Sequence, residues 1–167
     1  LPVPPELRAI LKADRYRYAI LTFSGATLCS DTSGTESVED MELSADGRFL
    51  TYGWIGYEVY GHQLIDRTGA GTVHEVGARP VFSPSRVRFA VVDQTESEFG
   101  SLSGLALWLV GPAAVRQEAQ FPDIPRMNDW RIDGWRGEAC IVLSAIPQAR
   151  TPQDYKQWGS ARRDRFV

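Results

Sequence analysis

Ser44-Ala45-Asp46-Gly47-Arg48-Phe49, running on into Leu50-Thr51-Tyr52, has an echo in Ser83-Pro84-Ser85-Arg86-Val87-Arg88-Phe89, running on into Ala90-Val91-Val92. The two serines are 39 positions apart and the two phenylalanines 40. Each copy is a tight turn, Asp-Gly in the first and Pro-Ser in the second, opening into strand-forming residues, as a hairpin does on entering a sheet. The chain can be phased on that repeat.

Outward from the two turns, a first unit (38–76) reads as strands at 38–44, 48–55, 62–67 and 72–76. A second unit (79–121) reads as strands at 79–83, 87–93, 105–110 and 115–121. Four short strands per period of about 40 residues is the spacing of β-propeller blades. The turn, together with Leu105-Ala106-Leu107-Trp108-Leu109-Val110, resembles the blades of TolB-type and WD-repeat propellers over residues 38 to 145. The resemblance implies an all-β fold, a partial or three-bladed β-propeller-like repeat domain. It implies no particular activity, because propellers serve enzymes, scaffolds and inhibitors alike.

The flanks fit around this frame. Pro4-Pro5-Glu6 followed by Leu7, Ile10 and Leu11 has helical spacing, so a short helix is expected over 5–13. A hairpin follows over 18–29, and 127–145 supplies two strands of a third unit, at 127–133 and 138–143 with a turn at Gly134. If the N-terminal hairpin completes that half blade, the ring closes without an unpaired edge. A C-terminal helix begins at Thr151-Pro152-Gln153-Asp154 and is docked by Tyr155 and Trp158. Ser160 to Val167, with Arg162, Arg163 and Arg165, is expected to be a solvated tail.

The 167 residues are 43% hydrophobic with ten prolines and fifteen glycines, which suits one globular all-β domain over 1–167, rich in turns. The net charge of −3 divides unevenly. Residues 1–18 hold four basic and two acidic side chains, residues 150–167 five and two, and the stretch between nine and seventeen. An acidic body argues against nucleic acid as a partner, and no apolar run is long enough for a membrane span. The chain starts Leu1-Pro2-Val3-Pro4-Pro5 without methionine, which fits a mature periplasmic or otherwise exported protein as well as a trimmed cytoplasmic one. Cys29 and Cys140 permit one disulfide or read as two buried thiols; ring closure would place them two strands apart in one sheet, beyond the reach of a disulfide.

No catalytic set, metal site or cofactor is expected. His62 and His74 are too few for a histidine metal site and read as surface positions on outer strands. Gly100-Ser101-Leu102-Ser103-Gly104 has leucine where a nucleophile elbow needs serine, and Gly69-Ala70-Gly71-Thr72 joins two strands instead of opening a helix. The acidic residues at 36–42, 96 and 98 have no spacing that points to a glycosidase pair.

Loop length is more informative. Connections at 56–61, 94–104 and 122–126 are longer than those at 45–47, 84–86 and 133–134, and in a propeller the three long ones share a face. The first carries Tyr57 and Tyr60 beside Trp54; the second carries Glu96, Glu98, Phe99, Ser101 and Ser103. Aromatic anchors joined to negative charge suit a protein partner with a basic surface. Three classes of function are therefore expected to compete. They are a non-enzymatic binding module, such as an exported bacterial immunity protein that blocks a cell-wall hydrolase; a carbohydrate or small-ligand binder that stacks on Trp54, Tyr57 and Tyr60; and the propeller portion of a longer hydrolase.

Overall fold

The structure, a computed structural model, describes residues 1–94 and 100–167. It is all-β: 53% strand and 7% helix, with four antiparallel sheets and none closed into a barrel. The sheets belong to two compact units, Leu1–Arg79 with Pro112–Ala114, and Pro80–Gly111 with Val115–Val167.

In the first unit, β1 (Leu11–Ala13), β2 (Arg17–Leu21) and β3 (Thr27–Asp31) form one sheet. A second sheet holds β4 (Thr35–Leu43), β5 (Phe49–Gly56), β6 (Val59–Asp66) and β7 (Thr72–Glu75), each strand beside the next in sequence. Successive residues of a strand face opposite sides and cross-strand partners share a side. The pairs Leu50↔Ile65, Tyr52↔Gln63 and Trp54↔Gly61 therefore define one face. Leu50, Tyr52 and Ile65 of that face pack with Leu7, Leu11, Tyr18 and Ile20 into one core, with Trp54 against its margin. Inside it, the Ser30 hydroxyl lies 3.0 Å from that of Tyr52, and both reach Gln63 Oε1, at 2.9 and 2.6 Å. Burial raises the pKa of both core tyrosines, Tyr18 to about 12, so the knot is built from neutral hydroxyls.

The second unit holds β8 (Val81–Phe82), β9 (Arg88–Asp93), β10 (Gly104–Val110) and β11 (Val115–Phe121) in one sheet. Its other sheet holds β12 (Met127–Arg136), β13 (Cys140–Pro147) and β14 (Asp164–Phe166). Phe89 stacks on Trp108 with ring centroids 5.6 Å apart, and Val92, Trp130 and Ala145 form a core with Leu105, Ile132, Leu143 and Phe166 against it. Gln94 ties β9 to β12: its Oε1 accepts from Met127 N and Trp130 Nε1, and its Nε2 donates to the Ile124 carbonyl.

The repeated turn has one geometry. Ser44 N donates to Phe49 O and Gly47 N to Ser44 O; likewise Ser83 N donates to Arg88 O and Arg86 N to Ser83 O. The two serine hydroxyls accept from Phe49 N and Arg88 N, and Gly47 and Arg86 both take positive φ, +70° and +61°. The period is thus 39 throughout the turn. Phe49 is matched by Arg88, and Phe89 by Leu50.

Several expectations are corrected. Residues 5–13 are no helix: a 3-10 turn at Pro5–Leu7 leads into β1, whose Leu11 pairs with Ile20. A nine-residue helix is marginal alone, and strand pairing satisfies the same backbone while burying Leu7 and Leu11. The N-terminal hairpin is thereby a sheet of its own and does not complete the half blade; β12 and β13 instead recruit β14 from the tail. That tail is solvated only in part: Ser160, Arg162, Arg165 and Val167 are exposed, whereas Arg163 donates to Ser144 Oγ and the Ser144 carbonyl and pairs with Asp129 at 2.7 Å, and Phe166 packs on Trp130. The C-terminal helix is a 3-10 helix, Tyr155–Ser160, capped by Asp154; Trp158 donates to the Pro152 carbonyl, whereas Tyr155 is exposed. Gly134 lies at a bulge within β12, and the turn follows at Gly137 (φ +62°). Both cysteines are exposed thiols, Cys29 on β3 and Cys140 on β13, in different sheets; alternation turns Ser30 inward and leaves Cys29 facing out.

The far end of β6 is pinned by charge. Asp66, 1% exposed, accepts from Arg48 Nε at 3.0 Å and Arg48 Nη2 at 2.7 Å, and its Oδ1 accepts from the backbone and hydroxyl of Thr68. Burial alone would raise this carboxyl; the Arg48 and Thr68 hydrogen bonds outweigh it and lower the pKa. Removing one member of such a pair leaves a charge buried without compensation. Asp66→Ala is therefore expected to cost about 3 kcal/mol in urea denaturation, and a midpoint equal to wild type would show that the clamp is not structural.

Candidate partner-binding surface

The β5–β6 hairpin is the most prominent exposed apolar feature of the first unit. The strands pair as far as Gly56↔Val59, so the connection is only Tyr57-Glu58. This corrects the expected long loop over 56–61: β-branched and aromatic residues, Ile55, Val59 and Tyr60, keep both strands paired out to the tip. Gly56 is needed beneath it, because a Cβ there would lie 2.6 Å from the Gly34 carbonyl oxygen.

At the apex Tyr57 is 77% exposed, and Ile55, Val59 and Tyr60 are each 37–42% exposed. Ile55 and Tyr60 are cross-strand partners and share a side. Trp54 has the opposite parity. It packs against the core cluster and donates its indole N–H to Glu75 Oε2 at 2.9 Å. The tip therefore unites Tyr57 and Tyr60 and leaves Trp54 beneath them, while Ile55, Val59 and Glu58 are members that the sequence reading passed over. Their signal was present in the strand-forming residues Ile55, Val59 and Tyr60.

Negative charge surrounds the hairpin. β4 pairs alongside, Thr35↔Gly56 and Ser37↔Ile55, and carries exposed Glu36, Glu39, Asp40 and Glu42. With Glu58 and Glu75 this part of the sheet holds six carboxylates against one guanidinium, Arg79, which pairs with Glu42 at 2.6 Å. A field of one sign attracts partners of the other and speeds their encounter.

Of the other expected site residues, Ser101 and Ser103 are exposed on the second unit with Leu102 buried between them. Glu96, Glu98 and Phe99 lie outside the described residues. Among the described residues, no three His, Cys, Asp or Glu side chains are grouped to hold a metal ion, and no helix is long and apolar enough to cross a membrane.

His62 is not the surface residue expected. It pairs with Gly53, and a Cβ on Gly53 would sit in ordinary contact with the ring, 3.5 Å from His62 Nδ1. The ring is 6% exposed and its Nε2 is buried without a hydrogen-bond partner among the described residues. Burial and the neighbouring Arg79 push its pKa down to about 4, against the pull of Asp40 and Glu42. His74, half-buried, is also lowered by burial. A lowered histidine favours the neutral folded form, so its stabilisation is whole above the unfolded value of 6.5 and is lost as pH falls towards 4. Over that window His62 is expected to contribute a loss of about 3 kcal/mol, with the lowered Asp66 carboxyl adding its own loss below about 3.8. Unfolding followed between pH 7 and 4.5 should show a shallower decline in His62→Gln; identical slopes would place the titration elsewhere.

No protein-family model matches the chain, and neither does any curated protein or solved structure with which it was compared.

Proposed function

We propose that the protein is a non-enzymatic protein-binding module that presents the β5–β6 hairpin to a partner with a basic surface. The observation that carries this reading is the hairpin tip itself, where Tyr57 stands at the apex between exposed Ile55, Val59 and Tyr60 within an acidic sheet. Tyrosine supplies large contact area with few rotors and dominates binding where it is desolvated at the centre of an interface. Acidic neighbours keep such an apolar tip soluble and favour a cationic counterpart.

A concrete form of the proposal is an exported, periplasmic immunity or inhibitor protein that blocks a bacterial cell-wall hydrolase, since a narrow two-residue hairpin is a shape that enters a cleft. The propeller reading of the fold belongs here as well. Its support is that β4–β7 and β8–β11 are four-stranded meanders in sequence order, as blades are. A glycan-binding role would use the same Tyr57 and Tyr60 rings, without Trp54, which is engaged in the core.

The partner can be isolated from the source cells by affinity capture with the tip intact, and its binding measured by calorimetry. Tyr57→Ala should weaken binding by about 2 kcal/mol or more and leave the thermal midpoint unchanged, because the side chain makes little contact with its own chain. Retained affinity overturns the proposal, and binding of oligosaccharides that is lost in the same variant would favour the glycan reading.

A further inference from the structure

We infer that Glu58 is the specificity-determining residue of the hairpin tip, reading an arginine or lysine side chain that borders the apolar pocket entered by Tyr57. The inference rests on the binding role proposed above.

The starting point is backbone strain. Among the described residues, four other than glycine take positive φ: Asp40, Glu58, Arg86 and Asp129. Asp129 is held there by Arg131 and Arg163. Arg86 lies over the Phe82 ring and closes its turn on Ser83. Asp40 is a short polar residue at a β4 bulge, a type that the left-handed region tolerates.

Glu58 differs from all three. Its φ of +53° falls in a two-residue hairpin turn, where glycine or asparagine is favoured and glutamate is strained. Among the described residues its carboxylate makes no hydrogen bond or ion pair, nor does the Tyr57 hydroxyl. A strained residue with no compensating contact in its own chain points to a contact outside it.

The chemistry of that contact follows from charge. An ionised carboxylate only accepts hydrogen bonds, and Glu36 with the other carboxylates of β4 would repel an anionic partner and stabilise a cation beside the tip. Arginine suits best, since its planar fork can bond both carboxylate oxygens at once. Tyr57 then supplies contact area, and Glu58 selects partners that place a positive charge next to the pocket.

The test uses the whole protein and a random heptapeptide library displayed on phage as the probe. Panning should enrich sequences that set a basic residue beside an aromatic or aliphatic one. Synthetic copies should bind about 10-fold more weakly to Glu58→Gln, with their salt dependence reduced, and should be lost with Tyr57→Ala. Glu58→Gly should weaken binding to the same degree while raising the thermal midpoint by about 2 °C, which separates recognition from damage to the fold. If Tyr57→Ala abolishes binding and Glu58→Gln does not, the inference fails and the binding role stands; if neither matters, both fail. A library that enriches no such sequence, or self-association of the wild type in sedimentation that Tyr57→Ala abolishes, also overturns it.

Discussion

Asp66 and Arg67 are the adjacent pair on which the hairpin sheet depends. The Asp66 carboxylate holds the Arg48 guanidinium fork and the Thr68 turn. The next residue is a buried cation that donates to the Leu21 and Gly47 carbonyls and lies over the Phe23 ring. Asp66 ends β6 and Arg67 is the first residue beyond it, and the two charges take different partners. One closes the four-stranded sheet on itself, and the other ties it to β2. The hairpin is thereby given a fixed root, a charge-assisted lock at the far end of its strands.

Much of the fold was readable because its strands are short runs of strand-forming residues bounded by turn residues. The runs at 48–55, 87–93, 105–110 and 115–121 lie on β5, β9, β10 and β11 to within a residue or so at each end. The failures were at the ends of the chain, where local pattern and long-range pairing disagree. Leu7, Ile10 and Leu11 carry helical spacing, yet the burial available beside Ile20 decides their conformation. The tail resembled a solvated basic segment because Arg163 shows no sign in sequence that Asp129 and Ser144 will meet it. Of the two spacings in the repeat, 39 between the serines and 40 between the phenylalanines, the hydrogen bonds of the turn keep to 39.

The site was legible in composition and less so in geometry. Aromatic residues at 54, 57 and 60 lie on one hairpin, and only strand parity separates Trp54 from the two tyrosines. His62 was misjudged for a related reason. Its burial is decided by neighbours across the sheet, such as Gly53 nine positions away, which local pattern does not show. Glu58 looks like any solvated acid until its backbone is seen to be left-handed.

The bulges of β4 bear on a different hazard. At the edge of its sheet, β4 offers nine residues of backbone, a length that could template pairing with a strand from another molecule. Two register breaks, a left-handed Asp40 and four exposed carboxylates spoil that template. An edge so broken and charged resists ordered stacking into fibrils. The strand that lends the hairpin its negative field therefore also acts as a gatekeeper against aggregation. Acid that neutralises its carboxylates would strip away part of that protection while leaving the bulges in place.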